Sequence, residues 1–91
     1  MPTAFESRVT KYLESMGFTV HGVTNMHFVA DLIAFSESSR TLLIRCRENM
    51  KLDKEQSNKL FRVARQNNVV PVYITQNRRK RLNIETIKEM K

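Results

Sequence analysis

A chain of 91 residues, 41% hydrophobic and with five Phe and two Tyr, makes one small domain with its own core rather than a disordered tail or a multidomain enzyme. No apolar run reaches the roughly 18 residues of a membrane span, the opening MPTAFESRV lacks a signal-peptide apolar core, and a lone cysteine closes no internal disulfide. A reducing, cytoplasmic setting without a membrane is therefore expected. The net charge of +7 is lopsided, with three basic and four acidic groups in residues 1–40 against thirteen and five in residues 41–91. A one-sided positive field points to a polyanionic partner, of which nucleic acid is the commonest.

Thr3 followed by Glu6 has the pattern of a capping box and opens a helix. Phe5, Val9, Tyr12, Leu13 and Met16 recur at helical spacing as one apolar stripe, which Gly17 ends. Glu6 falls at the edge of that stripe. It either caps the helix or looks across toward whatever the helix packs on. Phe18–Val23 alternates like a short strand, and Thr24–His27 is a turn. His21 and His27 have no Cys or His partners at metal spacing and read as ordinary strand and turn residues.

Phe28–Phe35 and Thr41–Arg47 are apolar, β-branched runs joined by polar Ser36–Arg40, the composition of a β-hairpin. Pairing Phe35 with Thr41 sets Ile33 against Leu43 and Asp31 against Arg45 on one side of the sheet. An acid in an apolar strand opposite a base is costly to bury unless the two meet or serve a site. Cys46 lies on the other face with Leu42 and Ile44 and reads as core, not as a nucleophile.

Glu48–Lys51 continues as a loop, and Asp53 starts a helix running to about Asn67. That helix buries Leu60, Val63 and Ala64, keeps Phe61 at the margin, and turns Lys54, Lys59, Arg62 and Arg65 outward. Gln56 projects from the side of Leu60 and Val63, so it either reaches solvent at the helix end or belongs to a polar site. Val69–Thr75 is a further strand, with Pro71 on an edge or among its first residues. Residues 76–83 form a basic loop containing Arg78, Arg79, Lys80 and Arg81. Residues 84–91 read as a short final helix carrying Ile84 and Ile87. The order αβββαβ(α) predicts an α/β domain with a mixed four-stranded sheet flanked by helices, because the strand after the long helix returns by a crossover.

A helix with Glu6, a hairpin with Asp31 and then Arg45-Cys46-Arg47, a helix with Gln56, and a strand with Val70-Pro71-Val72-Tyr73 together resemble the PD-(D/E)XK nuclease superfamily. Within it the likeness is to small archaeal Holliday-junction resolvases and restriction-endonuclease-like proteins, over about residues 5–75. The resemblance implies one restriction-endonuclease-like domain across residues 1–91. It puts the family's catalytic motif at Glu6, the helix-borne acid, at Asp31, the metal-binding aspartate, and at Gln56, the supporting glutamine. Ala30 stands where the family often has proline. The acid-x-lysine pair falls on Arg45 and Arg47, and there the sequence departs from the pattern.

Relatives of this kind hold Mg²⁺ between two carboxylates to polarise a phosphate and activate water. Arg45 cannot ligate a cation, and Arg47 stays protonated, so it can bind phosphate but cannot act as a base. No cofactor is expected on this reading. Mg²⁺ or Mn²⁺ enters only if Glu6 or Glu48 joins Asp31 as a ligand. The first functional reading is a nuclease-fold protein that binds DNA without cutting it, through Arg45, Arg47, Lys51, Arg78, Arg79, Lys80 and Arg81. A metal-dependent endonuclease or Holliday-junction resolvase with a rearranged site is the alternative. A protein-interaction module on an inherited nuclease scaffold is the third. The resemblance also implies a two-fold homodimer.

Overall fold

The computed structural model describes residues 3–23, 30–49 and 52–87. Helix α1 (Ala4–Ser15) opens on the expected capping box. The Thr3 hydroxyl accepts from the Glu6 N–H at 3.1 Å, and Glu6 Oε2 accepts from the Thr3 N–H at 3.3 Å. The buried stripe is narrower than its sequence pattern: Phe5, Val9 and Leu13, one turn apart, face the core, while Tyr12 and Met16 lie exposed at 38% and 61%. Gly17, at φ 94°, ends the helix, with its own N–H bonded to the Glu14 carbonyl and that of Phe18 to the Leu13 carbonyl. This is the paired closure of a Schellman motif.

Strands β1 (Thr19–Gly22), β2 (Leu32–Phe35) and β3 (Leu42–Cys46) form an antiparallel meander. The β2–β3 register sets Ile33 opposite Leu43, as the hairpin predicts. Helix α2 (Lys54–Gln66) then carries the chain over to β4 (Val70–Gln76), which lies parallel to β3. Asn68 closes α2 in the left-handed region at φ 55°, with its N–H on the Arg65 carbonyl and that of Val69 on the Ala64 carbonyl. Pro71 is the second residue of β4, so its missing N–H falls at the strand's start.

Among the described residues the sheet has five strands rather than four, in the order β1-β2-β3-β4-β5. The expected final helix is corrected: Leu82–Thr86 is β5, antiparallel to β4, and residues 88–91 lie outside the described residues. Leu82 packs with the core on the α1 side and Ile87 with that on the α2 side, the two-residue alternation of a strand. The basic loop expected over residues 76–83 contracts to the turn between Gln76 and Leu82.

The sheet separates two cores. On the α1 side Phe5, Val9 and Leu13 cover Leu32, Ala34, Ile44, Cys46, Val72 and Ile74. On the α2 side Leu60 and Ala64 cover Ala30 and Leu43. Among the described residues no helix is long and apolar enough to cross a membrane.

Candidate functional site

The C-terminal ends of the parallel strands β3 and β4 meet the N-terminus of α2 at one end of the sheet, the place where open α/β sheets hold ligands. Asp31 reaches that end through an irregularity in the chain before β2. The Asp31 N–H donates to the Ile44 carbonyl at 2.8 Å, although the register partner of Ile44 is Leu32. Two residues therefore face one, which is a β-bulge. The bulge sends Ala30 to the α2-side core while Leu32 points to the α1 side. It also displaces the carbonyl that would have met the Cys46 N–H.

The Asp31 carboxylate takes that carbonyl's place. Its Oδ2 accepts from the Cys46 N–H at 2.9 Å and from Arg47 Nη1 at 2.9 Å. Arg47 Nη1 also donates to the Cys46 carbonyl at 2.8 Å, and the Arg47 N–H to the Ile74 carbonyl at 3.0 Å. Arg45 Nε stands 4.0 Å from the same Oδ2. The side chains of Asp31 and Arg45 are 11% and 8% exposed and that of Arg47 34%, so one guanidinium lies inside and one reaches the surface. The expected register of Asp31 opposite Arg45 is corrected: the bulge sets Asp31 opposite Ile44, and although Arg45 stays 4.0 Å away, the closer partner is Arg47. The bulge turns the carboxylate toward the strand end.

Cys46 beneath this cluster is buried, and burial, helped by the charges of Asp31 and Glu6, pushes its thiol up to about 12. It is a core thiol, as its strand face predicts. Tyr73, the register neighbour of Arg45 on β4, has its hydroxyl pKa raised by burial, against the pull of Arg47 and Arg45.

The remaining candidates are spread around this centre. Glu6 is spent on its helix, with Oε2 accepting from the Thr3 N–H and hydroxyl at 3.3 and 3.1 Å. Glu48 Oε1 accepts from Gln76 Nε2 at 3.1 Å. Gln56 is exposed, and its N–H donates to Asp53 Oδ1 at 2.7 Å; the buried polar residue of the first turns of α2 is its neighbour Ser57. Gln56 thus takes the solvent-reaching place of the two open to it. Lys51 lies outside the described residues.

Arg78, Arg79, Lys80 and Arg81 are all exposed on the β4–β5 turn. The Asn77 N–H donates to the Arg81 carbonyl and the Lys80 N–H to the Asn77 carbonyl, both at 2.9 Å. Asn77 Oδ1 accepts from the N–H groups of Arg79 and Arg81 at 2.9 and 3.1 Å. Lys80 sits in the left-handed region at φ 59°. One residue absent from the sequence pattern, Arg8, joins here. Arg8 Nη1 donates to Gln76 Oε1 at 2.6 Å, and Arg8 Nη2 donates to the Lys80 carbonyl. These contacts span 68 and 72 residues, so no local pattern announces them.

A divalent cation needs several oxygen ligands, and the described residues around Asp31 do not fit one. Among the described residues no group of three or more His, Cys, Asp or Glu converges. The carboxylate oxygen best placed to ligate already serves a guanidinium and a backbone N–H. A cation there would face Arg47 and Arg45 directly.

No family model matches the chain, and no curated protein matches it. Among solved structures it is similar to Hjc of Archaeoglobus fulgidus, a Holliday junction resolvase from an archaeal hyperthermophile, with a TM-score of 0.77 and 20% identity. The match covers 92% of this chain and 74% of that one. Likeness at this identity speaks for architecture: among the described residues, the five-stranded mixed sheet with its two helices has the fold of that resolvase.

Proposed function

We propose that this chain is a nuclease-fold protein that binds DNA, duplex or branched, at the strand-end surface and does not cut it. One observation carries the reading: the Asp31 carboxylate is closed by the Arg47 guanidinium at 2.9 Å instead of being open to a divalent ion. A guanidinium neutralises the acid and offers N–H donors suited to phosphate, but it generates no hydroxide and vacates no ligand position. Arg47, partly exposed, and the exposed Arg78, Arg79, Lys80 and Arg81 supply the phosphate contacts. Arg45 is buried and acts through its charge on Asp31. Backbone contacts of this kind give weak sequence preference and steep salt dependence.

The test is a gel experiment with labelled duplex, single-stranded and four-way-junction DNA in EDTA, Mg²⁺ and Mn²⁺ at two salt concentrations. Intact but shifted bands in every metal are expected. No shift at low salt in any of them would sink the reading.

The second reading is a Mg²⁺- or Mn²⁺-dependent endonuclease or junction resolvase with a rebuilt site, working as a two-fold dimer. It is favoured by the resolvase fold and by the place of Asp31 at the strand ends, its Oδ2 on the Cys46 N–H. Metal-dependent fragments in the same gel, lost in Asp31→Ala, would establish it.

A further inference from the structure

Arg8, Gln76 and Glu48 form a chain of hydrogen bonds to which the binding surface assigns no task. One guanidinium ties α1 to the last residue of β4 and to the carbonyl of Lys80 in the basic turn. The Gln76 amide then ties that point to the side chain of Glu48, the residue after Arg47. The Gln76 N–H also donates to the Glu48 carbonyl, at 3.4 Å. Three segments distant in sequence are thereby held in one place: the start of α1, the end of β3 and the β4–β5 turn.

The electrostatics of this arrangement are unfavourable in isolation. The turn already presents four adjacent cations, and Arg8 brings another to its base. Both of its bonds go to neutral oxygens, and among the described residues no carboxylate pairs with it. Concentrated charge of one sign works against the compact state until a polyanion arrives. The turn itself is small, and Lys80 holds a backbone conformation that L side chains adopt at a cost. Its own hydrogen bonds fix its shape but not its direction.

We infer that Arg8 and Gln76 are positioning residues that hold the Arg78–Arg81 turn against the Arg47 end of β3, so that the two act as one phosphate-binding surface. The inference rests on the DNA-binding reading above. Neither residue has to touch nucleic acid for this, because the bonds described occupy Arg8 Nη1, Arg8 Nη2 and both ends of the Gln76 amide.

The experiment has two arms. Amide hydrogen exchange on the free protein compares the wild type with Gln76→Ala and Arg8→Gln. Faster exchange at Asn77 and Lys80, with β2 and β3 unchanged, is the expected result. Fluorescence anisotropy with a short labelled DNA duplex over a salt series forms the second arm. Gln76→Ala removes no charge, yet it should weaken binding severalfold and reduce the slope of log affinity against log salt by about 0.9 for each phosphate contact given up. Arg79→Ala should weaken the wild type but add little in the Gln76→Ala background, the signature of coupled residues. A general loss of stability would leave the salt slope untouched.

Unchanged exchange at Asn77 and Lys80 in both variants overturns the inference. So does a Gln76→Ala protein that keeps the wild-type slope. A wild type that leaves the duplex unbound at low salt overturns the DNA-binding reading itself, and that result is seen before any variant is compared.

Discussion

Replacing Asp31 by alanine tests the site with a sign as well as a size. The substitution removes the acceptor of the Cys46 N–H at 2.9 Å and of Arg47 Nη1 at 2.9 Å, and it removes the carboxylate 4.0 Å from Arg45, whose side chain is 8% exposed. Losing one partner of a buried ion pair costs about 3–5 kcal/mol. Arg47 keeps some water at 34% exposure, so the lower end, about 3 kcal/mol, is expected. A domain of this size has a total stability of roughly 5–14 kcal/mol and loses about 4–8 °C of melting temperature per kcal/mol, which places the drop at 12 °C or more. Urea unfolding is the assay, and the midpoint should fall with little change in the slope.

The opposite sign would refute the reasoning. In a site built to hold a divalent ion, clustered carboxylates repel one another, and removing one stabilises the metal-free protein. Asp31→Ala with stability equal to or above that of the wild type would mean that Asp31 is not neutralised by the arginines. Adding Arg47→Met to Asp31→Ala should recover part of the loss, since the second change removes the stranded cation. Mg²⁺ should leave the wild-type melting temperature where it is, because an ion that binds the native state would raise it.

Three further outcomes follow from single contacts. The Cys46 thiol goes from 9.0 to about 12 on folding, mainly through burial. The unfolded chain therefore loses that proton first, and the associated stability, fully present below about pH 9, declines as the pH rises toward 12. Urea midpoints from about pH 8 to about pH 10.5 should fall more steeply for the wild type than for Cys46→Ala, the raised Tyr73 being common to both. Asn68→Gly should stabilise by about 0.5–1 kcal/mol in thermal unfolding, because φ 55° suits glycine better than any other residue. Thr3→Ala should cost about 1 kcal/mol in the same assay, since it removes the hydroxyl half of the α1 capping box.

The hairpin register could be read from the sequence because two apolar runs around one short polar loop leave few ways to pair, and Ile33 opposite Leu43 follows. The bulge at Asp31 could not, since it concerns where one backbone N–H, that of Cys46, finds its acceptor. Strict alternation consequently names Arg45 as the nearest partner of Asp31, whereas the bulged chain gives that place to Arg47. Ile84 and Ile87, three apart, fit a helix or the two faces of a strand equally well. Only the open edge of β4 selects the strand. Gln56 lies roughly 70° around α2 from the axis through Ser57, Leu60 and Ala64, far enough from the sheet to reach water. Arg8 was hidden because its partners are fixed by the assembled sheet and by nothing near it in the chain.

On the DNA-binding reading, a guanidinium stands where a nuclease would hold a metal ion, and that alters what the strand ends can do. A bound divalent ion presents positions to be filled by a phosphate oxygen and by water, and it acidifies that water. Arg47 instead presents a planar set of N–H groups, of which Nη1 already serves both Asp31 and the Cys46 carbonyl. Such a group can orient a phosphate but supplies no nucleophile. On the DNA-binding reading, affinity then depends on how many phosphates are met at once rather than on the chemistry of one. That number is set by geometry: how closely the exposed cations of the β4–β5 turn stand to Arg47, and how firmly. On the same reading, the strand ends that in a nuclease aim a metal at a single bond would here aim a group of cations along a backbone.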